Sequence, residues 1–207
     1  QDKINKGLEE KDLKLLNKLP KFKKANKLLL NDGQLNFTDQ FKSWQQQPLS
    51  YSNGATYADL DNDGDLDIIV NNINDKAMIY ENLSASNYLK IKFEGQNPNI
   101  NGIGTKVILH INNKTMLREN FVNRGYMSST LPEVHFGLGK NTKVDSAWVI
   151  WPNQTYQTLK NIKASQTITV NQIEARAKFD YSIFEPQSIF EKINSNKIPF
   201  KHHEYQS

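Results

Sequence analysis

The sequence contains no cysteine and little arginine, and each shortage excludes a class of protein. Without cysteine among its 207 residues, the chain has neither a disulfide framework nor a thiolate metal site. Its three arginines are Arg118, Arg124 and Arg176. Nucleic-acid binding uses arginine and aromatic side chains arranged on a recognisable module, so we do not expect a nucleic-acid partner.

Long apolar runs are also missing. Hydrophobic residues make up 37% of the chain, in runs of only a few residues, so the sequence predicts no transmembrane segment. The chain starts at Gln1 without a methionine or a signal peptide. We therefore expect a processed form or a part of a longer protein.

The net charge of +4 is concentrated near the start of the chain. Residues 1–30 hold nine lysines against four acidic residues. Apolar residues recur among these lysines at near-helical spacing until Pro20 ends the pattern. The pattern predicts a solvated, basic amphipathic helix and linker over residues 1–25.

An aspartate-rich stretch at residues 59–67 is the most informative motif. Its five carboxylates alternate with other residues, at Asp59, Asp61, Asp63, Asp65 and Asp67. A tight turn at Gly64 would bring the first three carboxylates around one point, with the backbone carbonyl of Asp65 and the carboxylate of Asp67 completing the site. So many oxygen ligands suit Ca²⁺, with its six to eight coordination positions, better than Mg²⁺. The motif therefore predicts a calcium site.

The aspartate stretch has two alternative interpretations. An EF-hand requires a glutamate at its twelfth loop position, where this chain has Val70, and helices on both sides. Here β-branched and aromatic residues flank the loop, which predicts two strands instead. A solvated acidic turn is the other alternative, and the regular alternation around Gly64 argues against it.

Short predicted strands surround the loop. Residues 27–33 form one strand with a turn, and residues 35–38 return from it as a hairpin. Residues 77–82 repeat the apolar run closed by Asn that occurs at residues 28–31, about fifty residues earlier. A period of this size with several strands per unit is typical of propeller blades.

The motifs in this region resemble a known repeat. Ser52–Ala55, Ala58–Asp67 and Val70–Asn72 are similar to the FG-GAP or VCBS-type repeat of integrin-like β-propellers. In that family the loop joins the first two strands of a blade, and the resemblance implies calcium binding by the five aspartates. Residues 26–83 would hold about one and a half blades, so further propeller blades of a longer parent chain are expected partners.

From residue 87 the strands become longer and alternate cleanly. The clearest alternation places apolar residues at Leu89, Ile91 and Phe93, at Val107, Leu109 and Ile111, and at Ala147, Val149 and Trp151. With the shorter segments between them, about seven strands are predicted. We expect a β-sandwich or barrel over residues 84–173.

This second region also resembles a known family. Gly102–Thr105, Arg124–Ser128, His135–Gly139 and Trp151–Pro152 are similar to the ASPIC and UnbV domain. That domain follows FG-GAP repeats in bacterial secreted proteins and in cartilage acidic protein, which implies a secreted or cell-surface location here. The resemblance brings no established activity for the domain.

Aromatic side chains supply a second candidate site. Trp148, Trp151 and Tyr126 could stack on sugar rings as a ligand-binding platform. Core packing is the alternative, and because the tryptophans are three apart on one strand, at most one can face the core. His110 and His135 lie among strand residues and are interpreted as structural. His202, His203 and Glu204 point apart on an extended chain, which argues against a metal site there.

The sequence as a whole predicts a mainly β protein: partial β-propeller blades followed by a β-sandwich-like domain, with short flanking helices. Residues 174–207 are expected to be a linker with a short helix near Ser188. The predicted function is a non-catalytic, calcium-binding module of a secreted or cell-surface protein, used for adhesion or for binding a glycan or protein. An accessory region of a polysaccharide-degrading or uptake system, and a structural spacer without a ligand, are the alternatives.

Overall fold

A computed structural model describes residues 22–40 and 48–184. Strands make up 52% of the structure and helix 5%, which confirms the mainly β prediction. The helical elements that lie wholly within the described part are 3₁₀ turns at Gln172–Glu174 and Tyr181–Phe184, so the expected short flanking helices are barely present. None of the helices in that part is long and apolar enough to cross a membrane.

Several predictions concern the remaining residues. Most of the predicted basic helix (residues 1–21), the helix near Ser188 and the His202–Glu204 run lie outside the described residues.

The first described element is the predicted hairpin. β1 (Leu29–Asn31) pairs antiparallel with β2 (Phe37–Asp39). The turn between them is closed by the Asn31 side chain, which accepts a hydrogen bond from the backbone N–H of Gly33. A positive φ of 83° at this glycine allows the chain to reverse.

A three-stranded antiparallel sheet follows. It consists of β3 (Ser52–Ala58), β4 (Asp67–Asn72) and β5 (Met78–Tyr80), in that spatial order. The aspartate stretch connects β3 to β4, as predicted, with Ala58 opposite Asp67 at its base. A propeller blade has four strands, so the three strands seen here leave the propeller as a prediction.

The rest of the described chain forms ten strands. They are β6 (Asn87–Glu94), β7 (Lys106–Ile111), β8 (Lys114–Glu119), β9 (Asn123–Gly125), β10 (Ser128–Ser129), β11 (Glu133–Gly139), β12 (Lys143–Ile150), β13 (Thr155–Lys163), β14 (Gln166–Asn171) and β15 (Ala177–Lys178). One sheet has the order β11-β6-β14, with β14 parallel to β6, and the other has the order β15-β13-β12-β7-β8. β9 and β10 form a separate hairpin. We call the two sheets together the two-sheet unit.

One hydrophobic core joins the two sheets. The alternating residues of β6 face those of β7 and β12, and Phe136 and Trp151 fill the space with almost no exposure. The period-two pattern in the sequence therefore identified the buried face of these strands correctly. The sheets do not close into a barrel.

The two-sheet unit continues beyond residue 173, where the sequence had suggested a linker. β15 pairs with the edge strand β13 through Thr155 and Tyr156. Phe179, only 8% exposed, then packs on the outer face of the five-stranded sheet against Trp148. This covered outer face forms a second, smaller apolar cluster with Ile108 and Ile150.

Candidate functional site

The loop between β3 and β4 turns three carboxylates toward each other. Oxygens of Asp59, Asp61 and Asp63 all lie within 4.8 Å of one another. Two oxygens bound to one calcium ion at about 2.3–2.6 Å can lie at most about 5 Å apart. The spacing and the hard oxygen donors therefore fit a calcium ion without further approach of the side chains.

Backbone N–H groups of the loop hold these carboxylates in place. Asp59 Oδ1 accepts from the N–H of Gly64 at 3.3 Å, and Asp61 Oδ1 accepts from Asp63 at the same distance. Asp63 Oδ1 accepts from the N–H of Asp65 at 3.0 Å. The turn itself needs positive φ angles, 64° at Asn62 and 97° at Gly64. The alternating aspartates thus stabilise the turn and also supply the carboxylates that could bind a metal ion.

The side chains of Asp65 and Asp67 point elsewhere and attach the loop to the chain before β6. Asp67 is 3% exposed, and its two oxygens accept from the N–H groups of Leu60 at 3.0 Å and Asn82 at 2.9 Å. Asp65 Oδ2 accepts from the N–H of Ser84 at 3.1 Å. Burial, and then the charge of Asp63, raise the pKa of the Asp65 carboxyl above its usual value.

Only three of the five predicted ligands therefore form the carboxylate cluster. The Asp65 side chain points to Ser84 and not to the cluster. The sequence prediction assigned the backbone carbonyl of Asp65 to the ion, and that group does not depend on the side chain. Its other carboxylate oxygen, Oδ1, is buried and has no hydrogen-bond partner among the described residues. The predicted closing carboxylate, Asp67, instead supports the loop backbone.

The loop rests on the outer face of β6, where Lys90 forms an ion pair with it. Lys90 Nζ lies 2.5 Å from Asp59 Oδ2, and both side chains are almost completely covered, at 10% and 3% exposure. Burial acts to raise the pKa of the Asp59 carboxyl, but the hydrogen bond from Lys90 and the N–H of Gly64 outweigh it and hold the pKa below its usual value. Sequence reasoning missed Lys90, because the alternation of β6 shows only that this residue faces away from the core.

Tyr88 and His135 complete this contact. A Cβ atom at Gly64 would lie 1.8 Å from Cε1 of Tyr88, so only glycine fits at this position against the ring. His135 stacks on Tyr88 with 5.7 Å between ring centroids, and its Nε2 lies 2.8 Å from the carbonyl oxygen of Gly64. A His135 N–H at that atom would donate to the carbonyl, which agrees with the structural role expected for this histidine.

A cleft of about 790 Å³ opens beside this contact. Its lining includes Gly64 and Asp65 of the loop, Arg118 and Glu133 of the two-sheet unit, and Arg124 of the β9-β10 hairpin. Its size lies within the range of roughly 300–1,000 Å³ that is typical of ligand pockets. Sequence reasoning did not find this cleft, because its walls come from segments that are distant in sequence.

The three predicted aromatic residues do not form one platform. Trp151 is 1% exposed and packs edge-on against Phe93 in the core. Trp148 lies on the opposite face of the sheet, as the strand alternation required, and is covered by His110 and Phe179. Tyr126 is 70% exposed in the turn between β9 and β10. A shared sugar-stacking surface is thus inconsistent with these positions.

Most of the two-sheet unit matches a known protein family. Residues 95–177 match the ASPIC and UnbV family. The match supports the second resemblance seen in the sequence and spans β7 to β14, ending at the first residue of β15. It does not include the aspartate loop or the three-stranded sheet. No curated protein matches the chain.

Proposed function

We propose that the aspartate loop binds one calcium ion and that the chain is a non-catalytic, calcium-stabilised module of a secreted or cell-surface protein. The convergence of the Asp59, Asp61 and Asp63 oxygens within 4.8 Å is the observation that carries the proposal. The backbone carbonyl of Asp65 would be a further ligand. When bound, the ion would neutralise the mutual repulsion of carboxylates that the loop holds close together.

The proposal includes the wider architecture. Residues 26–83 are interpreted as one and a half blades of an FG-GAP or VCBS-type β-propeller, to which further blades of a longer parent chain would add. The antiparallel β3-β4-β5 sheet, with the loop between its first two strands, supports this interpretation. The molecule would then serve in adhesion, or in binding an extracellular glycan or protein.

Isothermal titration of the full chain tests the calcium site. One dominant site that prefers Ca²⁺ to Mg²⁺ is expected, and Asp61→Ala or Asp63→Ala should weaken it strongly because each removes a ligand. Asp75→Ala is the matched control, since this aspartate lies outside the loop and pairs with Lys23 on the surface at 2.9 Å. Equal affinity for the two ions, or no heat with either, would contradict the site.

Two alternatives give different results in binding and turnover assays. If the chain belongs to a polysaccharide-degrading system and is itself an enzyme, it should release new reducing ends from a polysaccharide. A passive spacer should neither bind nor cleave a polysaccharide. Binding of an extracellular glycan or protein, without cleavage, is the outcome that the proposed function requires.

A further inference from the structure

The cleft beside the loop contains charged side chains that have no partner among the described residues. Arg124, Glu119 and Glu133 line it, and none of the three makes an ion pair or a side-chain hydrogen bond with another described residue. Arg118, a fourth lining residue, donates from Nη1 to the carbonyl oxygen of Leu117 at 3.1 Å and lies over the Phe136 ring. Two of the three arginines of the chain therefore line one cleft, beside two glutamates.

The balance of charge indicates which kind of ligand these groups suit. The two arginines and the two glutamates carry equal and opposite formal charge, so these four groups add no net charge to the cleft. Guanidinium groups only donate hydrogen bonds, and ionised carboxylates only accept them. Sugar hydroxyl groups both donate and accept hydrogen bonds without carrying a charge, so they can meet both kinds of group.

The cleft also exposes apolar surface among these polar groups. Tyr57 is 38% exposed and Leu131 is 58% exposed, and both line it. Sugar rings present C–H faces that pack on such side chains while their hydroxyl groups reach polar neighbours. Asp65 also lines the cleft, but its carboxylate is hydrogen-bonded to Ser84 and the residue is only 7% exposed, so little of it is accessible to a ligand.

We propose that the cleft between the loop and the two-sheet unit binds a neutral oligosaccharide. The proposal rests on the binding role suggested above, and it places the site away from Trp148, Trp151 and Tyr126. Arg124 and Glu133 donate to and accept from the sugar hydroxyls, and Tyr57 and Leu131 contact the ring faces. Because Gly64 and Asp65 form one wall, the loop also shapes the site.

Binding to a panel of neutral hexose oligosaccharides and the matching oligo-uronates tests this site. The full chain is measured in calcium, with Arg124→Gln, Glu133→Gln and the control Arg176→Gln, which alters the third, exposed arginine outside the cleft. We expect binding to neutral members, weakened roughly tenfold or more by either cleft variant, since each loses hydrogen bonds from a charged group. Arg176→Gln should bind as the unaltered chain does.

Three results would overturn the proposal. These are binding of the uronates alone, binding that neither cleft variant weakens, and no binding to any member of the panel. Calcium titration of the same samples distinguishes failure of the cleft proposal from failure of the calcium site. If the chain binds calcium but no sugar, only the cleft proposal is contradicted. A circular dichroism spectrum unchanged from that of the unaltered chain verifies that each variant is folded.

Discussion

Replacing Gly64 by alanine would test the contact between the loop and the two-sheet unit. Gly64 is buried, has a φ of 97°, and lies against the ring of Tyr88. The added methyl carbon would be 1.8 Å from Cε1 and 2.3 Å from Cδ1 and Cζ of that ring. Either the ring or the turn has to move, and both movements disturb the stack on His135.

The expected loss of stability has two parts. A side chain at positive φ costs about 1–2 kcal/mol. Overpacking of a close contact costs about 1–3 kcal/mol more. The free energy of unfolding should therefore fall by about 2–5 kcal/mol in Gly64→Ala. Gly139→Ala is the matched control, because Gly139 has a φ of 57° and nothing within 4 Å of an added Cβ, so only the first part applies.

Urea unfolding at constant calcium concentration measures both variants. We expect Gly64→Ala to lose about 1–3 kcal/mol more than Gly139→Ala, with unchanged dependence on urea. Calcium affinity should fall in Gly64→Ala, because the displaced turn misplaces Asp59 and Asp63, and should remain unchanged in Gly139→Ala. Equal losses of stability in the two variants would show that the loop does not press against Tyr88, and would refute the reasoning.

Two further perturbations test the charges around the loop. Lys90→Met leaves Asp59 buried without its partner, so it should destabilise the calcium-free protein by about 3–5 kcal/mol and tighten calcium binding. Lys92 is exposed on the same strand, so Lys92→Met should do neither. Equal effects of the two substitutions would argue against the ion pair. Chelation by EDTA should lower the melting temperature of residues 26–83 and raise amide exchange over residues 59–67, because an ion present at a hundredfold excess over its Kd contributes about 2.7 kcal/mol. Exchange within residues 107–111, in the five-stranded sheet, should stay slow, and an equal response of the two regions would contradict this.

The sequence predicted the strands well because their pattern is local. Alternation at Leu89, Ile91 and Phe93 identifies a buried face wherever the strand lies in the sheet, and the structure confirms that face. The opposite orientation of Trp148 and Trp151 follows from the same period. The turn at Gly64 was also predictable, since alternating aspartates around a glycine favour one local conformation.

The contacts between distant segments were not predictable in this way. Lys90 pairs with Asp59 across 31 residues, and nothing in the alternation of β6 indicates what covers its outer face. Phe179 lies in a segment that had been interpreted as a linker, although it covers Trp148. Such contacts depend on how the segments pack in three dimensions, and neither hydrophobic period nor turn chemistry encodes that packing.

The cleft illustrates the same limit for the candidate site. Arg124 and Glu133 are nine residues apart, but the loop residues that also line the cleft, Gly64 and Asp65, are about sixty to seventy residues earlier. The chemistry of the aromatic side chains alone suggests a binding platform, but Trp151 is buried in the core and cannot contribute to a surface. Side-chain chemistry therefore suggested candidates, and only tertiary packing could select among them.

The most direct test of the calcium site is an anomalous difference map from crystals of the full chain grown with calcium. We expect one peak bounded by oxygens of Asp59, Asp61 and Asp63 and by the carbonyl oxygen of Asp65, at distances of about 2.3–2.6 Å. A map without a peak in the loop, or with its calcium peak at another group of residues, would contradict the central claim.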